Sequence, residues 1–165
     1  MSAGGIYNHT YFDNHPLEKE KAGLLYGIVL VNTVTWERET IKVGIAKGTT
    51  FKDVVRRGRG FTNYEIRIQR IWNGTIYDCW RWEQKLHKKY EIDRHKTAHK
   101  FGGHTECFCM DSKILEDFPK KHEILIDQSK KDTALGLNVR NYLHKLCRSA
   151  CYKIYMELCD QRFQK

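Results

Sequence analysis

Long apolar runs are missing from this chain of 165 residues, and no stretch is apolar enough over sufficient length to span a bilayer. A membrane partner is therefore not expected. The opening MSAGGIYNHTYFDNHP lacks an apolar core segment, so it does not read as a secretory signal. Proline is scarce, glycine is scattered, and no internal repeat or low-complexity tract is present. Without a secretory signal, the six cysteines are expected to be reduced thiols, which places the chain in a cytoplasm. Acidic residues are in the minority: 20 Asp and Glu face 29 Lys and Arg, a net charge of +9. That balance favours polyanionic partners, nucleic acid first, although a merely soluble basic protein carries the same signature. With hydrophobic residues at 41% and charged residues at 30%, the composition is that of a globular protein rather than a disordered one. The length suits one good core with appendages.

Residues 1–22 read as a polar, loosely held arm, 23–110 as the folded core and 111–165 as a C-terminal helical segment. From Leu24 to Val31 the chain is apolar and β-rich, as a buried strand requires. Ile41 to Ala46 forms a second strand, joined to the first by a polar hairpin loop. Thr49 or Thr50 is positioned to cap a short helix. Phe51, Val54 and Val55 share one side of that helix, Arg56 and Arg57 lie at its end, and Gly58 and Gly60 stop it. Tyr64, Ile66 and Ile68 alternate with polar neighbours in a third strand ending near Trp72, and Asn73-Gly74 is a turn signal. The segment ECFCM offers one further short strand. Val139, Leu143, Leu146, Ala150, Ile154 and Leu158 recur at helical spacing and predict a core-packing stripe, with a homodimer face as the alternative. The expected class is α+β: a small three-stranded antiparallel sheet flanked by helices, with a C-terminal helical extension.

Glu83 stands out in this pattern. On a helix over 76–91, at ~100° per residue, Ile76, Cys79, Trp80, Leu86 and Tyr90 all lie within roughly 60° of it. Arg81, Lys85, Lys88 and Lys89 project to the other side. A carboxylate inside an apolar stripe must be desolvated, paired or metal-bound, because burying a bare charge is expensive. Site carboxylates are found in such places, as are structural ones paired to an arginine.

Four short motifs follow in order: Gly23-Leu24-Leu25-Tyr26, Lys42-Val43-Gly44-Ile45, the E-x-x-L-H run from Glu83 to His87, and Gly103-His104-Thr105-Glu106-Cys107-Phe108. Together they resemble the GIY-YIG nuclease superfamily, and its phage-type branch in particular. The resemblance covers residues 23–109. It rests on the order of the motifs and of the elements around them, since none is specific alone. It implies a metal-dependent endonuclease that hydrolyses phosphodiester bonds of DNA. Glu83 would hold Mg²⁺, with Mn²⁺ able to substitute; Mg²⁺ keeps several waters, so one protein carboxylate suffices. Tyr26 would be the base, its pKa lowered by nearby cations and the metal. Lys42 stands where a second tyrosine is usual, to orient Tyr26 or stabilise the phosphate. Of Arg56, Arg57 and Arg59, Arg56 is favoured as the phosphate grip because it stays within the helix. His87, one turn after Glu83, is expected to support the site, act as an acid or simply pack. Lys47, Arg57, Arg59 and Lys100 would contact the DNA backbone. Glu106 is read as a structural helper. Gly5-Ile6-Tyr7 spells the family name literally, but its polar surroundings make Tyr26 the functional match.

Two other readings compete. The absent second tyrosine motivates a non-catalytic nucleic-acid-binding protein on the same fold. His95, His99, His104, Cys107 and Cys109 could supply ligands to a structural zinc, although C-x-C is not the usual knuckle spacing. No zinc finger or helix-turn-helix reader is evident, so sequence specificity has no visible source. Both monomer and homodimer are compatible with these features, within a bacterial or phage-infected cell.

Overall fold

The structure, a computed structural model, describes residues 7–124. Its centre is strand β1, Ala22–Asn32, buried on both faces from Gly23 onward. Leu24, Tyr26, Ile28 and Leu30 point into one core, and Leu25, Val29 and Val31 into the other. A strand buried on both sides must be apolar throughout, which is why β1 reads as a continuous run. Fully burying each of its Leu, Ile and Val side chains contributes roughly 1.5–3 kcal/mol.

Strand β2 (Arg38–Lys47) pairs with one edge of β1, and β3 (Tyr64–Thr75) with the other, both antiparallel. The short β4 (Cys107–Phe108) pairs with Ile41 and Lys42. The sheet thus has four strands in the order β3-β1-β2-β4, not the expected three. A strand of two residues is too short to show periodicity, and only its cross-strand partners define it. The α+β class itself holds.

The Asn73-Gly74 turn does not form. Both residues continue β3, opposite Leu24 and Gly23, and neither has the positive φ that a tight hairpin turn demands. Gly74 is instead needed because the Trp72 ring lies where its Cβ would be. The register shifts between Gly27 and Ile28, where β3 carries an extra residue, Gln69. That irregularity returns Ile71 to the same core as Ile68, three positions earlier.

Helix α1 (His9–Asn14) and helix α2 (Pro16–Lys19) precede the sheet. The Asn8 side chain caps α1 by accepting from the Tyr11 amide at 2.7 Å. Phe12 is fully buried against Ile76 and Trp80, with Tyr7, Tyr11 and Tyr77 around it. The segment expected to be a loose arm is therefore folded from Tyr7 onward. Its polar residues face water while one phenylalanine is inserted between aromatics, so tertiary packing rather than local propensity orders it.

Helix α3 (Phe51–Gly58) buries Val54 in the Tyr26-side core and is capped through Thr50 and Asp53. Helix α4 (Ile76–Lys89) buries Ile76, Cys79, Trp80, Glu83, Leu86 and His87. Tyr90, expected on that stripe, is the half-buried C-cap. Ile114 and Phe118 pack on the opposite core, and Trp72 Nε1 donates to the Lys121 carbonyl. The helical stripe expected over 138–162, and the segment beyond 124, lie outside the described residues. Among the described residues no helix is long and apolar enough to cross a membrane.

Candidate active site

Three elements bring their polar side chains to one cleft of about 660 Å³. From β1 comes Tyr26, 1% exposed. Its ring leans across to its partner on β2, and a Cβ on Gly44 would stand 2.6 Å from the hydroxyl. Only glycine leaves that space. Burial raises the Tyr26 phenol above its ordinary pKa; Arg57 opposes this by charge and side-chain contact, while Glu83 and Glu106 add to the rise. The lowered pKa expected of this tyrosine is therefore not a property of the protein groups around it.

From α4 comes Glu83, 7% exposed and on the cleft wall. Burial, then the neighbouring Glu106, push its carboxyl up to about 8, while Lys42, Gln84 and Arg57 pull it down. At neutral pH this carboxyl holds a proton most of the time. A cation would reverse that preference, because it favours the ionised form directly. An oxygen donor, buried and incompletely neutralised, suits a hard divalent ion.

From α3 come Arg56 and Arg57, which divide the work differently than expected. Asp53 holds the start of the helix, accepting from the Thr49 amide at 3.2 Å and the Thr50 amide at 3.1 Å. The same carboxylate pairs with Arg56, whose side chain is 70% exposed. Arg57, one position on, turns to Tyr26 and Glu83 and acts on both. Both arginines line the cleft, but Arg56 is paired with Asp53 while Arg57 faces Tyr26 and Glu83.

Lys42 is 1% exposed, and its Nζ donates to Glu106 Oε2 at 2.7 Å and the Gly103 carbonyl at 2.8 Å. The rings of Phe61 and Phe101 flank the ammonium. It does not lie on the cleft wall; Glu106, which it holds, does. Its effect on Glu83 is electrostatic. Lys42 therefore reaches the cleft by holding Glu106 and by its charge on Glu83, not by contact with the wall.

His87 lies away from the cleft. Strand β4 pairs only with Ile41 and Lys42, and the next carbonyl along β2, that of Val43, is met by His87 Nε2 at 3.1 Å. A carbonyl can only accept, so the imidazole donates there and serves as a strand partner where the strand has ended. Burial and Arg94 lower its pKa to about 4, leaving it neutral at pH 7. An acid role is a poor fit to that position; packing is the better account.

Lys47 lies on the wall, with its ammonium 2.9 Å from Glu18 Oε2. Arg59, the C-cap of α3, and Lys100 are exposed and do not line the cleft. The candidate zinc ligands are not gathered: among the described residues no group of three or more His, Cys, Asp or Glu side chains could hold a metal ion. Cys107 is fully buried on β4, and His104 Nδ1 is engaged with the Phe101 carbonyl at 2.9 Å.

Sequence reasoning missed Gln84 and Asp53 as parts of the wall, and it set aside Tyr7 and Trp80, which also line it. For Asp53 a signal existed, since Thr50-x-x-Asp53 has the capping-box spacing. For Tyr7 the Gly5-Ile6-Tyr7 spelling was a signal, but its polar surroundings spoke against a buried strand, and nothing local reveals that α1 folds back to the cleft. Compared with family models, curated proteins and solved structures, the chain matches none.

Proposed function

We propose that this protein is a metal-dependent endonuclease of the GIY-YIG kind, hydrolysing phosphodiester bonds of DNA in a bacterial or phage-infected cell. The observation that carries the reading is the convergence of the Tyr26 hydroxyl, Arg57 and the buried Glu83 on one cleft, from three different elements. The excess of basic residues supports a polyanionic substrate. So does the order of the four motifs along β1, β2, α4 and the turn before β4.

In this reading Glu83 is the protein ligand for Mg²⁺ or Mn²⁺, with the Glu106 carboxylate beside it. When bound, such an ion offsets charge on the attacked phosphate. Arg57 serves two ends: its guanidinium holds a phosphate oxygen, and its charge favours the phenolate form of Tyr26. The phenolate accepts a proton from water as the new O–P bond forms and the old P–O bond breaks, and the departing oxygen takes a proton from solvent. Gly44 keeps the hydroxyl in place, and Lys42 fixes Glu106.

A second reading is a nucleic-acid-binding protein without catalysis. The raised pKa of Tyr26 favours it, since a neutral phenol is a poor base. The two are separated by incubating supercoiled plasmid with Mg²⁺ and with Mn²⁺, wild type beside Glu83→Gln, Glu83→Ala and Tyr26→Phe. Conversion by the wild type alone supports the nuclease. Salt-sensitive binding with no cleavage in either ion supports the binding protein.

A further inference from the structure

We propose that Tyr7, carried to the cleft by α1, is a substrate-positioning residue that forms with Lys47 a second phosphate subsite beside the one at Arg57. The inference rests on the nuclease reading and deepens it by naming where the strand runs beyond the scissile bond.

Tyr7 and Lys47 both line the cleft, together with Trp80. The tyrosine is fixed from behind. Its ring stacks on Phe12 at 5.4 Å with planes 10° apart, and Phe12 is fully buried. Tyr11 meets it edge-on at 5.3 Å. A ring held this way places its hydroxyl without ordering cost at the moment of binding. Lys47 lies against that hydroxyl and on Glu18. Glu18 also takes Lys21, so two ammonium groups share one carboxylate and the local charge stays positive. Burial keeps the Tyr7 phenol above its ordinary pKa, and Glu18 keeps Lys47 protonated. The pair therefore offers one neutral O–H donor and one cation, a combination that suits a phosphate diester.

The test uses the Glu83→Gln protein, so that DNA survives, and a fluorescently labelled duplex of about 20 base pairs followed by anisotropy across a salt series. Tyr7→Phe keeps the ring and its stack on Phe12 but removes the donor. It is expected to raise Kd by about 10-fold or more at unchanged Tm and unchanged salt slope, as loss of one hydrogen bond to a charged group would. Lys47→Gln is expected to flatten the slope by about one unit, and Lys47→Arg to restore it. Affinity that is indifferent to Tyr7→Phe, or that falls only as far as Tm falls, overturns the proposal while leaving the nuclease reading intact. A parent protein that does not bind the duplex at all removes both.

Discussion

The Tyr26 hydroxyl stands over the Cα of Gly44, its partner across the β1–β2 ladder, with no room for a methyl group between them. A side chain at 44 must push the phenol from the cleft or part the strands. Gly44→Ala is therefore expected to cost about 1–3 kcal/mol of stability, the usual penalty for overpacking. It should also lower plasmid cleavage by about 100-fold, since a shift of ~1 Å in a reacting group has that effect. Thermal melting and a cleavage time course measure the two separately. Cleavage at the wild-type rate would remove Tyr26 from the chemistry.

Neighbouring arginines on α3 have different fates because Asp53 takes one of them. Arg57→Ala is expected to reduce cleavage by about 10²–10³-fold, as loss of a charge-stabilising donor does. Arg56→Ala removes an exposed side chain and its pair with Asp53, which contributes little at the surface. It should stay within about 5-fold of wild type. The reverse order of effects would return the phosphate grip to Arg56.

Strands β1, β2 and β3 were legible in the sequence because their patterns are local: a doubly buried run, then alternation. Glu83 was legible for the same reason, since a helical wheel needs no tertiary information. What failed depended on distant partners. Asn73-Gly74 forms a turn unless another strand captures it, and here β1 does. Lys42 reads as a solvated strand charge until β4 and the turn at Gly103 close over it. That Arg56 is paired while Arg57 faces Tyr26 could not be read locally, because it depends on Asp53 capping α3 and turning back to Arg56.

Burial of Glu83 has a signed consequence for pH. Its carboxyl titrates near 8 in the folded protein, against 4.5 ordinarily. The folded state therefore binds the proton more tightly than the unfolded state. The resulting stabilisation is complete below pH 4.5 and is lost as pH rises toward 8. Glu83→Gln should abolish this component, so the variant should gain in Tm over wild type as pH goes from 5 to 8. Mg²⁺ should raise the Tm of wild type at pH 8 and leave that of Glu83→Gln unchanged, because a ligand of the folded state stabilises in proportion to its occupancy. Parallel melting curves with and without Mg²⁺, across that range, test both statements.

His87 supplies the opposite sign. Its imidazole is held down to about 4, against 6.5 ordinarily, by burial and by Arg94. Its contribution is complete above pH 6.5 and is lost as pH falls toward 4, where the buried ring must take up a proton. Its role is to donate to the Val43 carbonyl beyond the end of β4. His87→Ala leaves that carbonyl unpaired and is expected to cost about 1–3 kcal/mol at pH 7. Glutamine can donate from nearly the same place but cannot shuttle a proton. His87→Gln should therefore recover most of the lost stability, flatten the melting temperature between pH 6.5 and 4, and cleave plasmid close to the wild-type rate. A folded, stable His87→Gln protein that no longer cleaves would instead make the imidazole part of the chemistry.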